Sequence, residues 1–97
     1  MPKAYVVVQM NVLNLEKFRE DYAPKSPATI EKYGGRYIVR GGEISTLEGE
    51  LPYGRVAILE FPDKAAALAW YKSPEYQAII GGRHRNSEGI LSVIEGV

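Results

Sequence analysis

The stretch that decides the fold is Lys3-Ala4-Tyr5-Val6-Val7-Val8-Gln9-Met10. It is rich in β-branched residues and reads as a buried strand. One parity, Ala4, Val6, Val8 and Met10, is wholly apolar, whereas the other, Tyr5, Val7 and Gln9, is mixed. A strand with one clean face and one mixed face predicts a sheet packed under helices on one side only.

The same pattern recurs along the chain. Asn14 reads as a helix N-cap, with Leu15, Phe18 and Tyr22 following at helical spacing. Pro24 and Pro27 interrupt that helix. Ser26-Pro27 reads as a new start that runs to Tyr33, and Gly34-Gly35 ends it. Residues 36–43 form the second expected strand, 44–53 a long hairpin loop, and 54–61 the third strand. Pro62-Asp63 opens a helix over residues 64–72, on which Leu68 and Tyr71 are expected to face the core. Ser73-Pro74 restarts a short helix carrying Tyr76, Ile79 and Ile80, and Gly81-Gly82 is expected to break it. Residues 89–95 form the last strand.

The order is βαββαβ, a split βαβ arrangement, and predicts a ferredoxin-like α+β fold. It has a four-stranded antiparallel sheet with two helical units on one face. The crossover rule is taken to place the first and third strands parallel in the centre. The helix-side parity continues through Tyr37, Val39, Ala57, Leu59, Phe61, Leu91 and Val93. The opposite parity holds Arg36, Ile38, Arg40, Val56, Ile58, Glu60, Ile90 and Ile94. Nothing in 97 residues is left to cover that second face. The expected cover is the same face of another copy, giving a homodimer through Val7, Ile38, Ile58 and Ile90.

Composition narrows the function. Twelve Lys plus Arg balance 12 Asp plus Glu, and no basic run stands out, so a nucleic-acid partner is not expected. There is no cysteine, which removes disulfides, thiolate metal sites and a thiol nucleophile. No segment approaches the roughly 20 apolar residues needed to cross a bilayer, and no leader pattern is visible. A cytoplasmic location is the default expectation. No phosphate-binding glycine loop exists, so the glycine pairs read as helix ends and turns. Neither a bound cofactor nor a metal is expected.

The chain also resembles a known family. Gly34-Gly35-Arg36-Tyr37, Arg40-Gly41-Gly42, Leu47-Glu48-Gly49, Glu60-Phe61-Pro62, Ala69-Trp70-Tyr71, Ser73-Pro74-Glu75-Tyr76-Gln77, Arg83 and Glu95-Gly96-Val97 carry the likeness. They stand in the order of the small bacterial family called domain of unknown function 1330. The resemblance implies a ferredoxin-like domain of the dimeric α+β barrel superfamily, in which two sheets face each other. Relatives in that superfamily include cofactor-free monooxygenases, muconolactone isomerase and haem enzymes. The chain departs from the family pattern over Gly81–Ser87.

Several residues are candidates for chemistry. Arg36, Arg40 and Glu60 share the uncovered parity. They could hold an anionic substrate with Glu60 as catalytic base, or form a cross-strand ion pair in a dimer core. In the second case Glu60 is the expected partner of Arg40. Glu48, Tyr53 and Arg55 flank the long loop and could line a pocket, or Arg55 could simply pair with Glu48. Arg83 could cap helix carbonyls or close a pocket over a carboxylate. His84, the only histidine, reads as a solvated residue whose protonated form its cationic neighbours disfavour. Trp70, Tyr71 and Tyr76 read as core aromatics in preference to a ligand box. Two functions remain open. One is a small-molecule enzyme or binder using acid–base chemistry on an organic, anionic ligand. The other is a non-catalytic dimeric module for a metabolite or a protein.

Overall fold

The computed structural model describes residues 2–97. Strand β1 runs over Ala4–Val12, β2 over Arg36–Arg40, β3 over Arg55–Phe61 and β4 over Ser87–Glu95. Helices α1 (Leu15–Asp21) and α2 (Ser26–Lys32) connect β1 to β2, and α3 (Lys64–Lys72), α4 (Pro74–Gln77) and α5 (Ile80–Asn86) connect β3 to β4. The sheet order is β2-β3-β1-β4. Strands β1 and β3 do lie at the centre, but they are antiparallel, which corrects the expected parallel pairing. The reason is that each helical crossover joins β1 to β2, or β3 to β4, and leaves one strand of opposite direction between its ends.

The helices start where short polar side chains can satisfy free backbone donors. Asn14 accepts from the Lys17 amide, Asp63 from the Ala66 amide and Ser73 from the Tyr76 amide. Pro27 occupies the first turn of α2, where its missing N–H costs nothing. Gly34, at φ +84°, takes the left-handed turn after α2.

The core lies between sheet and helices. Ala4, Val6, Val8 and Met10 of β1 and Ala57, Leu59 and Phe61 of β3 meet Phe18, Tyr22, Ile30, Ala67, Trp70, Tyr76 and Ile80. Helix α3 buries Ala67 and Trp70, whereas Leu68 is half-buried and outside this cluster. Of the expected core face of α3, Tyr71 does pack, partly buried, against this cluster and Leu68 does not, because Ala67 and Trp70 are the residues the helix turns inward.

Two further expectations change. Gly81 and Gly82 do not break a helix but lie within α5. A Cβ on Gly82 would stand 2.8 Å from the carbonyl oxygen of Asp21, so glycine lets α5 approach α1 closely. Strand β2 carries an irregularity between Tyr37 and Val39. Tyr37 pairs with Leu59, Val39 with Ile58 and Arg40 with Ala57, so Ile38 is an extra residue. The bulge reverses the parity behind it. Val39 joins the uncovered face opposite Ile58, and Arg40 joins the helix side opposite Ala57.

Candidate functional site: a cationic cavity between sheet and helices

The bulge gives the site its chemistry. A cavity of about 40 Å³ lies between the sheet and α1, α2 and α3. Val8, Met10, Ala57 and Leu59 form its sheet side, and Phe18, Tyr22 and Trp70 bring aromatic walls. Its polar groups are Ser26, Tyr37, Arg40, Arg55 and Arg83. Three guanidinium side chains and no carboxylate line it.

Arg40 reaches the cavity from the exposed end of β2. Its Nη2 donates to the Ala23 carbonyl at 2.9 Å, and its guanidinium sits 4.4 Å from the centre of the Tyr37 ring. Arg55 lies beneath Gly41, whose Cβ position would be 3.0 Å from the guanidinium carbon. Gly41 also has φ +67°, so a side chain there would meet both strain and Arg55. No ion pair joins Arg55 to Glu48 among the described residues, and the expected pairing is replaced by a place on the cavity wall.

Arg83 is different, because α5 buries it to 7% exposure. Its Nε donates to the Tyr76 hydroxyl at 3.2 Å and its Nη2 faces His84 Nε2 at 3.2 Å. Among the described residues no carboxylate lies within ion-pairing distance of it. A buried guanidinium normally has an anionic partner, whereas this one has the Tyr76 hydroxyl and His84. Beyond Arg83 opens a second, more open and more polar recess of about 370 Å³, lined also by Tyr71, His84, Glu88 and Leu91.

The surrounding hydroxyls are ordered. Tyr22 and Tyr76 share a 2.7 Å hydrogen bond, and Ser26 and Tyr37 share one of 2.8 Å. Trp70 Nε1 donates to Thr29 Oγ1 at 3.1 Å. Burial pushes the Tyr22 phenol far above its ordinary value, and raises Tyr76 less because Arg83 opposes the shift. Both remain protonated donors. His84 is held below the usual imidazole value by partial desolvation and then by Arg83.

Arg40 and Arg83 therefore meet in one cavity, while Arg36 and Glu60 do not join them. Glu60 Oε1 lies 3.2 Å from Lys3 Nζ and 3.4 Å from Arg36 Nη2, on the uncovered sheet face. These cations, the Lys3 hydrogen bond foremost, hold the Glu60 carboxyl below the ordinary carboxylate value. The expected Arg40–Glu60 pair is absent because the bulge puts the two side chains on opposite faces. Sequence reading missed Tyr22 and Ser26 as cavity residues, since each looks like an ordinary helix residue until the tertiary fold is known.

A family model matches residues 3–97. The chain belongs to the DUF1330 family, a domain of unknown function. No curated protein matches it closely enough to add a function. Among solved structures, RPA0582, a protein of unknown function from Rhodopseudomonas palustris, is similar with a TM-score of 0.74 at 17% identity. The match covers 99% of this chain and 83% of that one. SnoaB, a cofactor-independent oxygenase from Streptomyces nogalater, aligns over 100% of this chain and 95% of its own, with a TM-score of 0.62 and 13% identity. HapK from Hahella chejuensis aligns over 97% and 90%, with a TM-score of 0.60 and 15% identity. At such identities the likeness concerns the fold, and this DUF1330 chain shares the ferredoxin-like α+β architecture with all three.

Proposed function

We propose that this DUF1330 chain binds a small organic anion in the cavity between sheet and helices. Arg40 receives it at the mouth and Arg83 receives it within. The observation that carries this reading is the buried Arg83 guanidinium without a carboxylate partner, beside two further arginines and an apolar wall. Guanidinium matches carboxylate and phosphate with paired donors, and a shielded cavity strengthens the match. Any chemistry on such a ligand proceeds by proton transfer without a bound cofactor, and SnoaB, of similar fold, is itself a cofactor-independent oxygenase. Glu60 and Arg36 serve the other face of the sheet in this reading. They form an ion pair within a homodimer closed by Val7, Ile58 and Ile90, in the cytoplasm of a bacterium.

The test is thermal stabilisation of the purified protein by acetate, benzoate and inorganic phosphate. At least one raises the melting temperature. Arg40→Ala removes the shift while leaving the unliganded melting temperature within a few degrees, because Arg40 is exposed and holds no carboxylate. No stabilisation by any of the three, or an undiminished shift in Arg40→Ala, defeats the reading.

A further inference from the structure

The chain between β2 and β3 is unlike the rest of the molecule. Residues 41–54 hold no helix or strand, and every residue from 38 to 52 is exposed. Connections longer than about 12 residues without structure of their own are uncommon in compact domains. Among the described residues, hydrogen bonds tie this arm only at its ends. The Gly41 amide donates to the Val56 carbonyl at 3.0 Å, and the Gly54 amide to Asn11 Oδ1 at 2.8 Å. A Cβ added to Gly42 or Gly49 would meet nothing within 4 Å, so open space surrounds the arm. Its composition does not suit a loop that only bridges two strands. Ile44, Leu47 and Leu51 are exposed, Leu47 to 93%, and they follow the exposed Ile38 and Val39 of β2. Turns use Gly, Asn, Asp, Ser and Pro, and gain nothing from large apolar side chains in water. The charge of the arm is one-sided as well. It carries Glu43, Glu48 and Glu50 and no lysine or arginine. None of the three glutamates has an ion-pair partner among the described residues. Because the whole chain is formally neutral, the body that remains carries a positive surplus of equal size.

We propose that this arm clasps a second copy of the chain, burying Leu47 against the partner and turning its glutamates toward the partner's positive body. The proposal rests on the homodimer reading and adds a separate contact to it. Its own body leaves the arm bare, so the cover comes from another molecule. The arm continues from Val39, which lies opposite Ile58 on the uncovered face, so a copy seated on that face stands beside the root of the arm. The reach fits. From Gly41 to Leu47 an extended chain spans roughly 20 Å, whereas facing sheets stand about 10 Å apart. Gly49, at φ +75°, turns the chain back just past Leu47 and Glu48 and leaves these two near the tip. The charges fit too, since an arm of one sign meets a body of the other in every second copy, and such complementarity orients the encounter. Twofold symmetry makes the contact reciprocal, each copy giving one arm and receiving one.

Sedimentation and cross-linking test this. The wild-type protein is a dimer at micromolar concentration, and Leu47→Asp raises its dissociation constant by about tenfold or more, as losing the burial of a leucine entails. The variant keeps the wild-type circular dichroism, because Leu47 is almost wholly exposed in the single copy. Leu47→Cys supplies the only thiol of the chain, and a benzophenone maleimide attached to it cross-links one copy to the other. A wild-type dimer that Leu47→Asp leaves equally tight, or a label at position 47 that cross-links only within its own chain, overturns the proposal and leaves the sheet-face dimer standing. A wild-type protein that is monomeric at that concentration overturns both.

Discussion

His84 shows how much one neighbour governs a side chain. Its Nε2 faces the Arg83 Nη2 donor at 3.2 Å, a contact that only the neutral ring can accept. Desolvation and the guanidinium both lower its proton affinity in the folded state. The unfolded chain therefore binds more protons as pH falls below the ordinary histidine value of about 6.5, and folding stability falls with it. Above that value the two states hold the same charge at this site, and the effect vanishes. His84→Gln, which keeps an acceptor and cannot titrate, is expected to flatten the melting temperature between pH 7 and pH 5.5. A wild-type and variant profile of equal slope would place the acid sensitivity elsewhere. The lowered proton affinity of His84 was legible only in part, since the adjacent Arg83 contributes to it, while the desolvation that contributes most comes from the fold and Arg85 does not contribute. The buried chain to Tyr76 and Tyr22 was not legible, because residues 22 and 76 are brought together only by tertiary packing.

The elements were legible wherever one periodicity ran unbroken. β1 alternates cleanly, and its buried set is the set its sequence predicts, Ala4, Val6, Val8 and Met10. The capped starts at Asn14, Asp63 and Ser73 were equally clear. The failures came where a local signal has two physical meanings. A glycine pair ends many helices, yet in α5 it lets two helices touch. In β2 the residues Arg36-Tyr37-Ile38-Val39-Arg40 alternate without a visible fault, so nothing in them announces the extra residue. The register of β3 imposes it. Deleting Ile38, the extra residue, restores simple alternation and leaves Arg40 opposite Ala57 on the helix side. The deletion variant is expected to keep both its far-ultraviolet circular dichroism and its stabilisation by the anion that protects the wild type. Loss of that stabilisation in a folded variant would show that the bulge itself, and not the pairing with Ala57, positions Arg40.

At the scale of the whole molecule, one layer of helices lies on one sheet. The uncovered face presents Glu60, Tyr5 and Ile94 in one row, Ile58, Val7 and Ser92 in the next, and Val56, Gln9 and Ile90 in a third. Ile90 and Ile94 are 47% and 60% exposed, too much apolar area for a face meant for water. In the homodimer reading, Ile58→Asp buries a charge without a partner and is expected to yield monomer or unfolded protein. Sedimentation checks this, and a dimer unchanged by the substitution would move the interface to another surface.

The Cα atoms fill a slab of 33 × 33 × 16 Å. A slab wraps its volume wastefully. The chain exposes 6040 Å², whereas a compact monomer of its mass would expose about 5500 Å². Stacking two slabs sheet to sheet, about 10 Å apart, gives a block of nearly equal sides and recovers that excess. Folding would then be a bimolecular event, and dilution alone would lower the melting temperature.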